Sequence, residues 1–293
     1  MEKKEKAVQK RGWLHRMKEI WRRFAKNKPA ILGLIILFIF AFMAIFADLI
    51  VPYEMAIKQD VMHKLAKPSA EHLLGTDYLG RDVLARIIQG AKYSLGVSVS
   101  TTLVSMAVSL MLAAAAAYYG GIVDTIIMRT VDVFTAIPQL ILGICISAAL
   151  GASELNLFFA LTLMSIPAGV RLPRTTLLTI VNQEYIEAAR ACGTSTFRIL
   201  TKHVLTNGMG PIILTATGNI AAKINTTATL CYLGLGFRPP IPEWGTMLSE
   251  ARQYMRVSPH LMFAPGIALI IITVGMKLLG DGLRDALDPK LKD

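Results

Sequence analysis

Long apolar blocks alternate with polar segments along this chain, and short alternating runs of the kind that build half-buried strands are not its pattern. Six blocks, roughly 30–50, 95–118, 123–149, 156–172, 209–231 and 262–280, approach or pass the ~20 apolar residues that a helix needs to cross a bilayer. The expected fold class is therefore all-α, a polytopic membrane protein with six transmembrane helices. Ahead of the first block, GWLHRMKEIWRRF sets Trp13, Met17, Ile20, Trp21 and Phe24 on one helical face and basic residues opposite. That pattern suits a helix lying on the membrane surface, with partner binding as the alternative. Pro138 is expected to kink the third block.

Charge orients the blocks. Hydrophobic residues make up 54% of the chain and charged residues 17%, against roughly a quarter charged in a soluble domain. The net charge of +11 is local, because residues 1–29 hold eleven Lys and Arg against three acids. A basic tail beside a membrane segment does not call for nucleic acid, and it puts the N-terminus in the cytoplasm. Six crossings return the C-terminus there. The chain then divides into a basic amphipathic cytoplasmic tail (1–29), a first span (30–50), an extracytoplasmic loop (51–94), a five-helix core (95–284) and a short cytoplasmic tail (285–293). Within the core, residues 173–208 form the largest cytoplasmic loop and 232–261 a second external one. The first block is too long for a signal h-region and no clear small-residue cleavage site follows it.

Candidate chemistry is mostly negative. GTDYLGRD, Gly75 to Asp82, has the glycine spacing of a phosphate-binding loop, but Arg81 and Asp82 stand where Lys and Ser/Thr would hold phosphate and Mg²⁺. It also falls on the side without ATP. Gly75 and Gly80 read as turns, and Asp77, Arg81 and Asp82 as local ion pairs and helix caps before an interfacial helix with Leu84, Ile87, Ile88 and Ala91 on one face. Contact with a partner protein is the second reading of this segment. The histidines (His15, His63, His72, His203 and His260) are scattered, and no metal or catalytic constellation is expected. Cys145, Cys192 and Cys231 form no C-x-x-C and read as small buried apolar residues.

The remaining polar features fall inside the apolar blocks and in the 173–208 loop. Asp132 lies one turn after Arg129, as an ion pair or a substrate contact, while Lys277 is near enough to the surface to snorkel. GNIAAKINTTATLCYLGLG places Lys223, Asn225, Thr226 and Thr227 near mid-bilayer, where a charge normally faces the protein interior or a wet cavity. In the loop, QEYIEAARACGTSTFRILTKHVLTN carries Glu184, Glu187, Ala188, Ala189 and Gly193. These read as a short helix with a small-residue face, ended or bent at the glycine.

The E-A-A-x-x-x-G pattern of that loop resembles the coupling loop of permease subunits of ATP-binding-cassette (ABC) importers. HLLGTDYLGRDVLARIIQGAKYSLG, LGLGFRPPIPEWGTMLSEARQYM and PGIALIIITVGMKLLGDGLRDALDPKL resemble, in order, segments of the C-type permeases for dipeptides, oligopeptides and nickel. The resemblance implies a type I importer transmembrane domain in a bacterial or archaeal inner membrane. It also implies a homologous B-type permease partner, two ATPase subunits holding ATP and Mg²⁺, an extracytoplasmic solute-binding protein, and no cofactor on this chain. The cargo would be a peptide or a related solute such as nickel or a metal–opine complex. An ATP-independent channel or secondary transporter is the reading from another class. The chain departs from the family three times: Thr206 follows Leu205 where Pro is usual, softening the span boundary, Thr227 stands where an acid is common, and Lys277 stands where Asn is frequent. Lys223, with Asn225, Thr227 and Asp132, is then expected on the translocation pathway, favouring an anionic group, or paired with an acid of the partner permease.

Overall fold

The computed structural model describes residues 18–287, and among these it contains helices, turns and one isolated β-bridge, Thr76 with Asp82. The principal helices are α1 (Lys28–Ile45), α2 (Val83–Tyr119), α3 (Gly121–Thr135), α4 (Gln139–Leu150) and α5 (Glu154–Val181). They continue with α6 (Glu184–Ala191), α7 (Thr206–Tyr232), α8 (Trp244–Ala251) and α9 (His260–Leu287). By length and composition, α1, α2, α5 and α9 can each cross a membrane. The α3–α4 pair passes only as a bent unit, with 86° between its halves. Pro138, the N-cap of α4, stands at that break. α7 has 27 residues, about 40 Å of helix, but Asn219, Lys223, Asn225 and several threonines make it the most polar of the long helices.

Helix ends follow local chemistry. The Asn27 side chain accepts from Ala30 N and Pro29 occupies the first turn, so α1 begins at Lys28. It ends at Phe46, and Ala47–Ile50 is a separate turn, so the first span is shorter than the apolar block suggests. Asp82 caps α2 through Ala85 N, at 2.7 Å. α2 is one helix of 37 residues, about 55 Å long, against about 30 Å of hydrocarbon. The separate interfacial helix expected before the second span is instead the first third of α2. Ala85 to Ala91 are buried all round by protein, rather than half by lipid. α5 and α9 likewise run past their apolar blocks, to Val181 and Leu287.

α2 is central, packing on α5, α7 and α1, while α9 packs on α1 and α7. Ser94, Ser98, Thr101, Thr102, Ser105 and Ser109 form a buried stripe of small polar residues on α2. Most satisfy their hydroxyls on the helix's own carbonyls, and small side chains let neighbouring backbones approach. At the α1–α9 crossing, a Cβ on Gly33 would stand 2.6 Å from Gly275 O and 2.7 Å from Leu279 N. Gly33→Ala is therefore expected to lower the stability of the protein by about 1–3 kcal/mol, measured as the thermal midpoint after solubilisation. Of the tail face, Phe24 is buried against Ala30 and Ala286, so the tail packs on the bundle as well as offering Trp21 outward. Trp13, Met17 and residues 288–293 lie outside the described residues.

At the α2 N-terminal end, residues 51–82 and α8 form a cap. Gly75 (φ +74°) and Gly80 (φ +79°) need the left-handed region, and a Cβ on Gly80 would strike Asp60 O. Glu243 is fully buried as the N-cap of α8. Burial pushes its carboxyl up, against hydrogen bonds from the Gly245 and Thr246 backbones and from Ser94 Oγ. Of the cysteines, only Cys231 is buried, while Cys145 and Cys192 are exposed.

Candidate functional site

Two features stand out: a polar cavity inside the bundle and an exposed short helix at the end opposite the cap. The cavity, about 150 Å³, is bounded by α2, α4, α5 and α7. Lys223 on α7 lines it and is only 6% exposed. Its Nζ donates to Leu161 O at 2.8 Å and to the Ser165 hydroxyl, both on α5. Gln139 Nε2 reaches the same Ser165 oxygen at 3.4 Å. Ser105, Ser109, Asn219 and Thr226 complete the polar wall.

The other three pathway candidates are elsewhere. Thr227, on the same face of α7 as Lys223 but one turn further on, is buried against Ser98 Oγ (3.1 Å), outside the cavity lining. Asn225 accepts from Thr273 Oγ1 and lines a separate cleft of about 550 Å³ between α7 and α9. Asp132 is exposed on α3, where Arg171 Nη2 holds it at 2.8 Å and Arg129 only at 3.7 Å. Its main partner thus comes from α5, rather than from its own helix. Sequence reasoning missed Ser105, Ser109, Ser165, Gln139 and Asn219, since uncharged hydroxyls and amides in apolar blocks look alike until packing sorts them.

The short helix α6 is built for rigidity. Ile186 is fully buried against Val181, Ile199 and Val204. Glu184 and Glu187 sit in the first turn and Arg190 in the last, each favourable to the helix dipole. Gly193 N donates to Arg190 O and Thr194 N to Ala189 O, with Gly193 at φ +72°, the left-handed C-cap that glycine serves best. Arg190 lies over the Tyr118 ring at 4.6 Å, tying the segment to the end of α2. Glu184, Tyr185, Glu187 and Ala188 face outward while Ala189 is half-buried, and Phe197 beyond the glycine is 77% exposed. Residues 199–205 then form a π-helix running straight into α7, and the Thr206 hydroxyl donates to Thr201 O. Thr206 therefore continues the helix where a proline would interrupt its bonding.

The cap carries the GTDYLGRD residues as one electrostatic unit. Arg81 Nε meets Asp77 Oδ2 at 2.6 Å, and Arg81 and Arg86 both reach Glu250 Oε2, at 2.8 and 2.9 Å. Arg86 also reaches Asp77 Oδ2 at 3.1 Å. Asp82 is held apart from this group, with its Oδ2 on His72 Nδ1.

Comparison with known proteins gives this arrangement a context. Residues 76–293 match the model of the binding-protein-dependent transport system inner membrane component. Residues 16–68 match the N-terminal transmembrane domain of oligopeptide transport permease C. The di/tripeptide transport system permease of Pseudomonas aeruginosa is 40% identical over 94% of this chain and 93% of its own length. The glutathione transport system permease of Pectobacterium atrosepticum is 41% identical over 94% of this chain and 91% of its own. In fold, the chain resembles the MetNI methionine ABC transporter in its inward-facing conformations. That likeness has a TM-score of 0.56 and 19% identity, covering 70% of this chain and 97% of the other. With the family model matched over more than two thirds of its length, this chain belongs to the binding-protein-dependent inner membrane components, as a permease subunit of an ABC importer.

Proposed function

We propose that this permease subunit imports short peptides, with a homologous B-type permease, two cytoplasmic ATPases and an extracytoplasmic solute-binding protein as its partners. ATP and Mg²⁺ reside on the ATPases, and the chain's own residues supply the docking surface and half of the path. Both termini and α6 face the cytoplasm; the cap of residues 51–82 and α8 faces the solute-binding protein. Di/tripeptides and glutathione, the cargo named for two relatives, share a short peptide backbone with a free carboxylate.

The observation that carries this reading is α6, a capped helix seated through Ile186 with a small-residue face turned outward. Closure of the ATPase dimer moves α6. Because Ile186 shares one buried apolar cluster with Ile199, Val204 and Ile212, the motion passes into the π-helix and through it to α7, whose Lys223 lines the cavity. The path then alternates between two states whose balance nucleotide shifts.

Ala188→Arg is expected to lower ATP-driven dipeptide uptake by about tenfold or more, equivalent to about 1.4 kcal/mol of docking energy. The chain itself stays folded, because Ala188 is exposed. Uptake by reconstituted complexes, with co-purification of the ATPase as the second readout, checks this. Wild-type complexes that take up no peptide, or that do so without ATP, would sink the proposal.

A further inference from the structure

We infer that the cavity beside Lys223 is a carboxylate subsite of the translocation path, receiving the carboxylate end of the solute in transit. The inference rests on the proposed reading of the cargo as a short peptide.

Its starting point is a charge without a counter-charge. A buried ammonium is costly unless it is paired, and Lys223 is 6% exposed. Its two protein partners, the Leu161 carbonyl and the Ser165 hydroxyl, are both neutral. Among the described residues no carboxylate forms an ion pair with it. An ammonium has three N–H donors; two are engaged, and the ammonium borders an open polar cavity rather than packed side chains. The two α5 acceptors fix the ammonium in place, so an arriving anion meets an oriented donor instead of a flexible arm.

The cavity's size and walls narrow the ligand. A volume of about 150 Å³ equals on the order of five waters, enough for a carboxylate with its attached carbon. Gln139, on the same Ser165 hydroxyl, supplies an amide donor nearby.

The test is equilibrium binding of labelled Ala-Ala and of C-terminally amidated Ala-Ala to the permease–ATPase complex in nanodiscs, without the solute-binding protein. Wild type is expected to prefer the free acid by about tenfold, the scale of one charge-assisted hydrogen bond. Lys223→Gln, which keeps a hydrogen-bonding end and removes the charge, is expected to erase that preference while the complex still assembles. Lys223→Met serves in its place if the glutamine variant does not assemble. An acid-to-amide ratio unchanged by the substitution, or no preference in wild type, overturns the inference. Loss of assembly in both variants also overturns it, assigning Lys223 instead to an acid on the partner permease. Uptake of Ala-Ala by the wild-type system with its binding protein, run in parallel, reports separately on the cargo reading.

Discussion

Glu250→Gln is expected to destabilise the purified complex by about 3–5 kcal/mol, read as a fall in its thermal midpoint. Glu250 accepts from two guanidinium groups that are each only 1% exposed, Arg81 at 2.8 Å and Arg86 at 2.9 Å. Asp77 accepts from the same two arginines and from the backbone N–H groups of Leu79 and Arg81. Two carboxylates and two guanidiniums balance, and removing one carboxylate leaves a largely buried positive charge without its counter-charge. The Tyr78 hydroxyl, 3.4 Å from Glu250, has no formal charge to replace it. Removing Arg86 and Glu250 together leaves Asp77 paired with Arg81. The double variant Arg86→Met/Glu250→Met should therefore lose less than the sum of its single variants, with about 1–3 kcal/mol of coupling. Strict additivity would show that the four groups do not act as a unit. High salt should weaken the wild-type network little, since buried pairs are poorly screened.

This network also marks where the sequence was legible and where it was not. Asp77, Arg81 and Asp82 stand together in the chain, and turn-and-cap chemistry could be read from them. Glu250 is 169 residues from Arg81, and nothing local distinguishes it from a solvated surface acid. The apolar blocks located every long helix, because lipid demands a continuous apolar run. They misjudged α2, because Arg86 and Gln89 interrupt the apolar residues of its first third yet are buried there, so protein rather than lipid covers it. Pro138 gave the break between α3 and α4 in advance, although its 86° angle required the packed structure. In the site, Lys223 could be singled out because an ammonium in an apolar block has few explanations. Asn225 and Thr227 were grouped with it by proximity in sequence, whereas helix rotation sends Asn225 to α9 and one further turn along the same face seats Thr227 against Ser98 of α2. The Schellman cap at Gly193 follows from its glycine, but the outward exposure of Ala188 depends on Ile186 finding its pocket.

Trp244→Ala is expected to cost about 3–5 kcal/mol, the scale of emptying a buried aromatic site. Trp244 is the largest fully buried side chain, and it joins three elements. Phe40 of α1 meets its ring edge-on at 5.7 Å and 86°, and Nε1 donates to Ile87 O of α2 at 3.1 Å. Gly90 makes room for it: a Cβ there would stand 2.9 Å from Trp244 Cδ1. The next residue, Gly245, lies against Ala228 of α7, where a Cβ would strike the Ala228 carbonyl. α8 is thus wedged between α2 and α7 about one turn beyond Lys223. Collapse of the Trp244 site should loosen that wedge, lowering peptide uptake along with stability. Trp244→Phe keeps most of the ring volume and forfeits the Nε1 hydrogen bond, so its expected cost is about 1 kcal/mol. Comparing the two variants by thermal midpoint and by uptake in reconstituted vesicles separates the contributions. Equal losses would place the site's energy in the hydrogen bond to Ile87, and a large difference would place it in packing between α1, α2 and α8.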